Sequence, residues 1–170
     1  MNVARYEEIS KLHGMAGIGS AGINANQWAA MYQEVINVMG NGAIAGFGTD
    51  TNGVAPGMPP DSTEAKHLNA LPGAKGNPPI NYGSSFPRSS LGTHWWDYNT
   101  DGVAHYGMLP DFLLDVRAIK TTFYCSLNGS NLDVPVDGAK LIDENLMYGA
   151  DYFLETWKKC EAASGNVGSN

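Results

Sequence analysis

Apolar positions recur along this chain at more than one period, and the changes of period divide it. Residues 2 to 12 carry Val3, Tyr6, Ile9 and then Leu12 or His13 on one face at helical spacing, and Gly14 ends the run. Asn24 or Asn26 can cap a second helix. Trp28, Met31, Tyr32, Val35 and Met39 then follow at spacings of three and four, which predicts a helix from about 26 to 39. Gly40-Asn41-Gly42 stops it. On either side lies a short unbroken apolar run, at 15–20 and at 43–48. Strands without alternation are expected in a parallel sheet covered on both faces. The two runs also resemble each other, Ala16-Gly17-Ile18-Gly19-Ser20 against Ala45-Gly46-Phe47-Gly48-Thr49. Their separation suits one strand–helix–strand unit with neighbouring parallel strands.

Residues 53 to 100 show no useful period and hold seven of the nine prolines. A connection of this length is uncommon in a compact domain unless it is functional or disordered. Its aromatics, Tyr82, Phe86, Trp95, Trp96 and Tyr98, favour an ordered loop packed on the body. Pro110 then opens a helix with Leu109, Phe112, Leu113, Val116 and Ile119 apolar and Asp111 in the first turn. Residues 121–136 read as irregular. A last helix is expected from about Gly138 to Ala163, with Leu141, Leu146, Tyr148, Tyr152, Phe153 and Trp157 as a broad apolar face. The chain thus reads as one α/β domain: a strand–helix–strand unit at 15–52, a long Pro/Gly-rich loop at 53–108, a helical C-terminal part at 109–163, and a frayed tail at 164–170.

Composition narrows the function. Of 170 residues, 43% are apolar and 16% charged, enough to build a core. Ten Lys and Arg against 17 Asp and Glu leave a charge of −7, with no basic cluster, so a nucleic-acid partner is not expected. No apolar run approaches the ~18 residues of a membrane span. The N-terminus lacks the basic start and apolar stretch of a secretory signal. Cys125 and Cys160 alone cannot build a disulfide framework, and a cytoplasmic location is expected.

Four local patterns carry candidate chemistry. Gly17-Ile18-Gly19-Ser20-Ala21-Gly22 matches the dinucleotide-binding glycine spacing, although Asp50 falls later than the ribose-binding acid should. Asp97-Tyr98-Asn99-Thr100-Asp101-Gly102 matches the opening of a calcium loop, but its twelfth position is Met108 instead of Glu. His94, Asp97, Asp101 and His105 together offer the nitrogen and carboxylate ligands that suit zinc or a similar ion. Finally, Gly48-Thr49-Asp50-Thr51-Asn52-Gly53 puts an acid just beyond a buried parallel strand, at the end where α/β folds assemble their sites.

The last motif, followed by a Pro-rich loop and by Asp97-Tyr98-Asn99-Thr100-Asp101-Gly102-Val103-Ala104-His105-Tyr106-Gly107-Met108-Leu109-Pro110-Asp111-Phe112, resembles the C-terminal part of membrane-dipeptidase-like proteins of the metal-dependent amidohydrolase superfamily. The resemblance covers roughly residues 14 to 120. It implies a partial (β/α)8-barrel-like unit with few parallel strands, 15–20 and 43–48 being the last two barrel strands. It also implies a divalent metal, zinc in most of the family, and a role for Asp50 in contacting the metal-bound water and shuttling its proton. His105 would line the pocket, with Asn52 and Tyr106 beside it. A complete barrel takes about 250 residues, and the chain has no His-x-His. It is therefore expected to be a fragment of a longer gene or a free-standing remnant.

Three functions follow as expectations. The first is a metal-dependent hydrolase of amide or related bonds in a small-molecule substrate, with Asp50 and His105 catalytic and Asp50, His94, Asp97, Asp101 and His105 as candidate ligands. The second is a glycoside-hydrolase-like site with Asp50 and Asp97 as paired carboxylates and Trp95 and Trp96 as a stacking platform. The third is a non-catalytic, oligomerising binding module. Two strands leave open edges, so a homo-oligomer is expected in each case.

Overall fold

The computed structural model describes residues 3–40, 45–49, 57–60, 88–127 and 130–165. The elements are α1 (Val3–Lys11), β1 (Ala16–Gly19), α2 (Ala25–Met39), β2 (Ala45–Gly48), β3 (Ser90–Leu91), β4 (His94–Trp95) and α3 (Tyr98–Asp101). After a 3-10 turn at Tyr106–Met108 come α4 (Leu109–Ala118), β5 (Lys120–Leu127), β6 (Ser130–Asp137) and α5 (Gly138–Lys140). A π turn (Leu141–Asn145) and a 3-10 turn (Leu146–Tyr148) lead to α6 (Gly149–Gly165). The class is mixed α/β. Among the described residues the sheets are two-stranded, and no barrel closes.

The strand–helix–strand unit forms as the apolar pattern predicts. β1 and β2 are parallel neighbours, with Ala16 opposite Ala45 and Gly19 opposite Gly48. Asn24 caps α2 by accepting from the Gln27 amide at 2.9 Å, and the Gln27 side chain accepts from the Asn24 amide in return. The apolar side of α2 lies on the pair through two buried aromatics that also hydrogen-bond it. The Trp28 indole N–H donates to the Ile18 carbonyl at 3.2 Å, and the Tyr32 hydroxyl donates to the Ala45 carbonyl at 2.8 Å. These bonds satisfy strand carbonyls that so narrow a sheet leaves open. Burial, and secondarily the nearby Tyr152, pushes the Tyr32 phenol far above its ordinary range. Trp28 and Phe47 meet Phe112 of α4, which joins the unit to the C-terminal half.

Two expectations about that half are corrected. Residues 121–136 are not irregular: β5 and β6 form an antiparallel hairpin, Phe123 opposite Val134 and Thr121 opposite Val136. Phe123, Val134 and Val136 are buried on one face, the period-two pattern of a half-covered strand. Pro135 sits in β6 on the solvent side, as an edge strand permits. The helix expected over 138–163 is interrupted by the π and 3-10 turns, and its broad apolar face divides there. Leu141 and Ile142 are buried, whereas Phe153, Leu154 and Trp157 face solvent. The 109–163 region is therefore helix, hairpin and helix. Among the described residues no helix is long and apolar enough to cross a membrane.

Glu34 is a buried carboxylate on α2. Its Oε1 has no hydrogen-bond partner among the described residues. Burial pushes its carboxyl above the ordinary carboxylate range. A raised folded pKa means the folded state holds the proton longer than the unfolded chain, so stability falls as pH rises from the unfolded value through the folded one. Glu34→Gln is expected to raise the melting temperature at pH 7 and to leave it nearly unchanged at pH 3.5. Equal shifts at the two pH values would show that ionisation plays no part.

Candidate functional site

The strand ends define one side of the site. Ser20, directly after β1, is fully buried, and its hydroxyl bridges the Gly48 carbonyl at 2.9 Å and the Thr49 carbonyl at 3.2 Å. This ties the two carboxyl ends together and fixes the chain as it leaves β2. Asp50 and Asn52 come next in sequence and lie outside the described residues. Met58, a few residues on, is buried, and its carbonyl accepts from the Val103 amide at 2.8 Å. Gly102 turns there with a φ of 63°. A Cβ at Gly102 would meet the Met58 carbonyl and the Pro59–Pro60 backbone. Residues 57–60 and the 94–107 loop are thus joined through Met58.

The glycine-rich stretch is not a phosphate cradle. Gly17 and Gly19 are strand residues, and α2 begins only at Ala25 with its first-turn amide already held by Asn24. Gly17 pairs with Gly46; a Cβ at Gly46 would meet the flexible end of Met15, and one at Gly17 would meet nothing within 4 Å.

The loop from 88 to 108 is ordered by its own polar side chains. β3 and β4 form a tight antiparallel hairpin, and the Trp96 amide donates to the Ser89 carbonyl. Asp97 caps α3: its Oδ1 accepts from the Asn99 amide at 3.0 Å, and its Oδ2 lies 3.1 Å from Arg88 Nη2. Asp101 Oδ2 accepts in turn from the Asp97 amide at 2.8 Å. The Asp-x-Asn-x-Asp-Gly spacing is therefore a helix cap closed from both ends, one oxygen of each aspartate accepting a backbone N–H.

His105 has the most informative geometry. Its Nδ1 accepts from the Gly107 amide at 3.1 Å and so carries no proton. In the neutral ring the hydrogen is then on Nε2, which lies 3.0 Å from Ser89 Oγ. The imidazole donates to the serine, the reverse of what a general base for that hydroxyl requires. Ser89 was not singled out from sequence, and no local spacing marks it. His105 caps the 3-10 turn at 106–108. His105→Ala is expected to cost about 1 kcal/mol and His105→Asn to recover most of it, since an amide oxygen can accept the same bond. Thermal melts of the two variants check this, and equal losses would remove the capping role.

The aromatics separate. Trp96 is partly buried between two imidazoles, ring centroids 4.2 Å from His94 and 5.8 Å from His105. Its indole nitrogen is buried without an acceptor among the described residues. Trp95 is 62% exposed and Tyr106 59% exposed. Trp95 ends β4 and is exposed, whereas Trp96 follows the strand and packs on His94. Sequence reasoning named Tyr98 only as a loop aromatic and passed over Asp115. The buried Tyr98 hydroxyl donates to Asp115 Oδ2 at 2.9 Å. Asp111 and Asp115 lie one turn apart on α4 and are both buried, a spacing visible in the sequence beside Phe112 and Val116.

Zinc would need at least three of these donors to converge. Among the described residues no three His, Cys, Asp or Glu side chains come together in that way. Asp97, Asp101 and His105 are engaged in caps, and His94 meets Trp96 edge to face. Asp50, the remaining candidate ligand, lies outside the described residues. The chain matches no family model, no curated protein and no solved structure.

Proposed function

We propose that the chain is a hydrolase of amide or related bonds in small molecules, of the amidohydrolase type. In this reading β1–α2–β2 corresponds to two neighbouring strands of a (β/α)8 barrel, and Asp50 is the proton-handling residue. The observation that supports it is the parallel β1–β2 pair with its carboxyl ends held by Ser20, one residue before the Thr49-Asp50 step. Sites of α/β proteins gather at that end of the strands. The Asp50 carboxylate takes a proton from the attacking water as oxygen bonds to the carbonyl carbon. It returns that proton to the leaving nitrogen as the carbon–nitrogen bond breaks. A divalent metal, zinc by the resemblance, would activate the same water. The described His and Asp side chains provide no centre for it, and no step is assigned to it.

The test is turnover of a panel of dipeptides and acyl amides, expressed per folded molecule. Asp50→Asn preserves shape and removes the base, so the rate should fall about 100-fold or more. His105→Ala should reduce it far less. Equal rates for wild type and Asp50→Asn end the proposal, and a chelator added to the wild-type assay reads whether a metal takes part.

A further inference from the structure

The last pair of the parallel strands is Gly19 with Gly48. One residue on, a side chain continues the ladder. The Ser20 hydroxyl lies 2.9 Å from the Gly48 carbonyl and 3.2 Å from the Thr49 carbonyl, and its one hydrogen is shared between them. The Thr49 carbonyl belongs to the peptide unit that joins Thr49 to Asp50. That unit is planar, so its oxygen, the Asp50 nitrogen and the Asp50 Cα move as one rigid piece. Holding the oxygen therefore restrains the atom from which the Asp50 side chain departs. Ser20 is itself held on both sides. Before it, Ile18 and Gly19 pair with Phe47 and Gly48. After it, the Ser20 carbonyl accepts from the Ile23 amide at 3.3 Å, and Gly22 turns with a φ of 71° into the Asn24 cap of α2. Its neighbours Gly19, Ala21 and Gly22 carry no side-chain donor that could take its place.

We propose that Ser20 is a positioning residue for the proton-handling carboxylate, acting through the Thr49–Asp50 peptide. This role rests on the hydrolase reading above, in which Asp50 takes a proton from the attacking water and returns it to the leaving nitrogen. Proton transfer is steep in distance and angle, and a displacement of about 1 Å can cost 100-fold in rate. Ser20 is fully buried, so it meets no substrate. Its loss therefore acts on the chemical step and leaves substrate binding alone, which separates it from a residue that lines the pocket.

Ser20→Ala removes the hydrogen and little volume. Its kcat per folded molecule should fall about tenfold, with KM within about twofold of wild type. Tyr32→Phe is the control for stability, because it removes a comparable bond to the Ala45 carbonyl at the other end of the strand pair. It should keep the wild-type kcat. Ser20→Cys, close in size but a weaker donor, should fall between wild type and alanine, and it carries the test if the alanine variant folds poorly. Carbonyl carbon NMR reads the tether without turnover: the Gly48 and Thr49 resonances should move in Ser20→Ala while that of Ala45 stays. Unmoved Gly48 and Thr49 resonances overturn the tether. A Ser20→Ala kcat no lower than that of Tyr32→Phe overturns the positioning role, as does a loss confined to KM. If Asp50→Asn is slow and Ser20→Ala is not, the positioning role fails alone. If Asp50→Asn runs at the wild-type rate, the hydrolase reading fails and takes this role with it.

Discussion

Gly138→Ala is expected to destabilise the protein by about 3 kcal/mol or more, although it adds a single methyl group. Gly138 is where the β5–β6 hairpin returns to the end of α4. Its amide donates to the Ile119 carbonyl at 2.8 Å, and Asp137 caps the short α5 that begins there. A Cβ at this position would run into the Val116 carbonyl, with the Ile119 carbonyl at 3.1 Å on the other side. Both neighbours are backbone, held by the last turn of α4, and neither can rotate away as a side chain would. Relief requires moving the hairpin off α4, which exposes Phe123 and Val136. Gly149→Ala is the control. It lies at the start of α6 with nothing within 4 Å of the added carbon, so alanine should be neutral or stabilise by up to about 1 kcal/mol. Urea midpoints followed by circular dichroism compare the two, and similar midpoints would refute the close approach at Gly138.

The parts of the fold legible in the sequence are those where one period dominates. The two strands around α2 could be read because unbroken apolar runs flank a helix with a clear stripe, and their pairing register matches the internal similarity. The β5–β6 hairpin was hidden although its signals were present. Phe123, Val134 and Val136 alternate with polar residues, and Asn128-Gly129, the strongest two-residue hairpin signal, falls between Leu127 and Ser130, which pair. Thr, Ser, Asn, Asp and Pro135 dilute that alternation. For residues 138–163 the period was right and the conclusion was not, because spacing identifies an apolar face without saying whether anything covers it.

The candidate site was legible as chemistry but not as arrangement. Asp97, Asp101 and His105 were picked out because they offer lone pairs at short spacing. Ligating a cation and capping a helix both need lone pairs, so the same residues serve either purpose. What decides is the backbone conformation. α3 and the 106–108 turn direct N–H groups at these side chains. Asp50, the residue on which the proposed function rests, was found by its place after β2, a topological signal that needs no neighbouring residue in sequence.

Trp28→Ala should be the most costly substitution in the core, at about 3–5 kcal/mol. Trp28 is fully buried, with ring centroids 4.8 Å from Tyr32, 5.3 Å from Phe47 and 6.0 Å from Phe112. These rings come from α2, β2 and α4, so one side chain joins the strand pair to the C-terminal half. Alanine loses all three contacts at once and leaves a cavity that rigid neighbours cannot close. Trp28→Phe keeps most of the packing but removes the donor to the Ile18 carbonyl, and should cost about 1–2 kcal/mol. An alanine variant within 1 kcal/mol of the phenylalanine variant in urea unfolding would show that the aromatic junction is dispensable. Tyr32→Phe removes the comparable bond to Ala45 and should cost about the same. The two differ in where they act. Ile18 lies near the carboxyl end of β1, beside the proposed site, whereas Ala45 lies at the amino end of β2. At equal loss of stability, Trp28→Phe should therefore reduce hydrolysis per folded molecule more than Tyr32→Phe. The reverse order would place the chemistry at the other end of the strands.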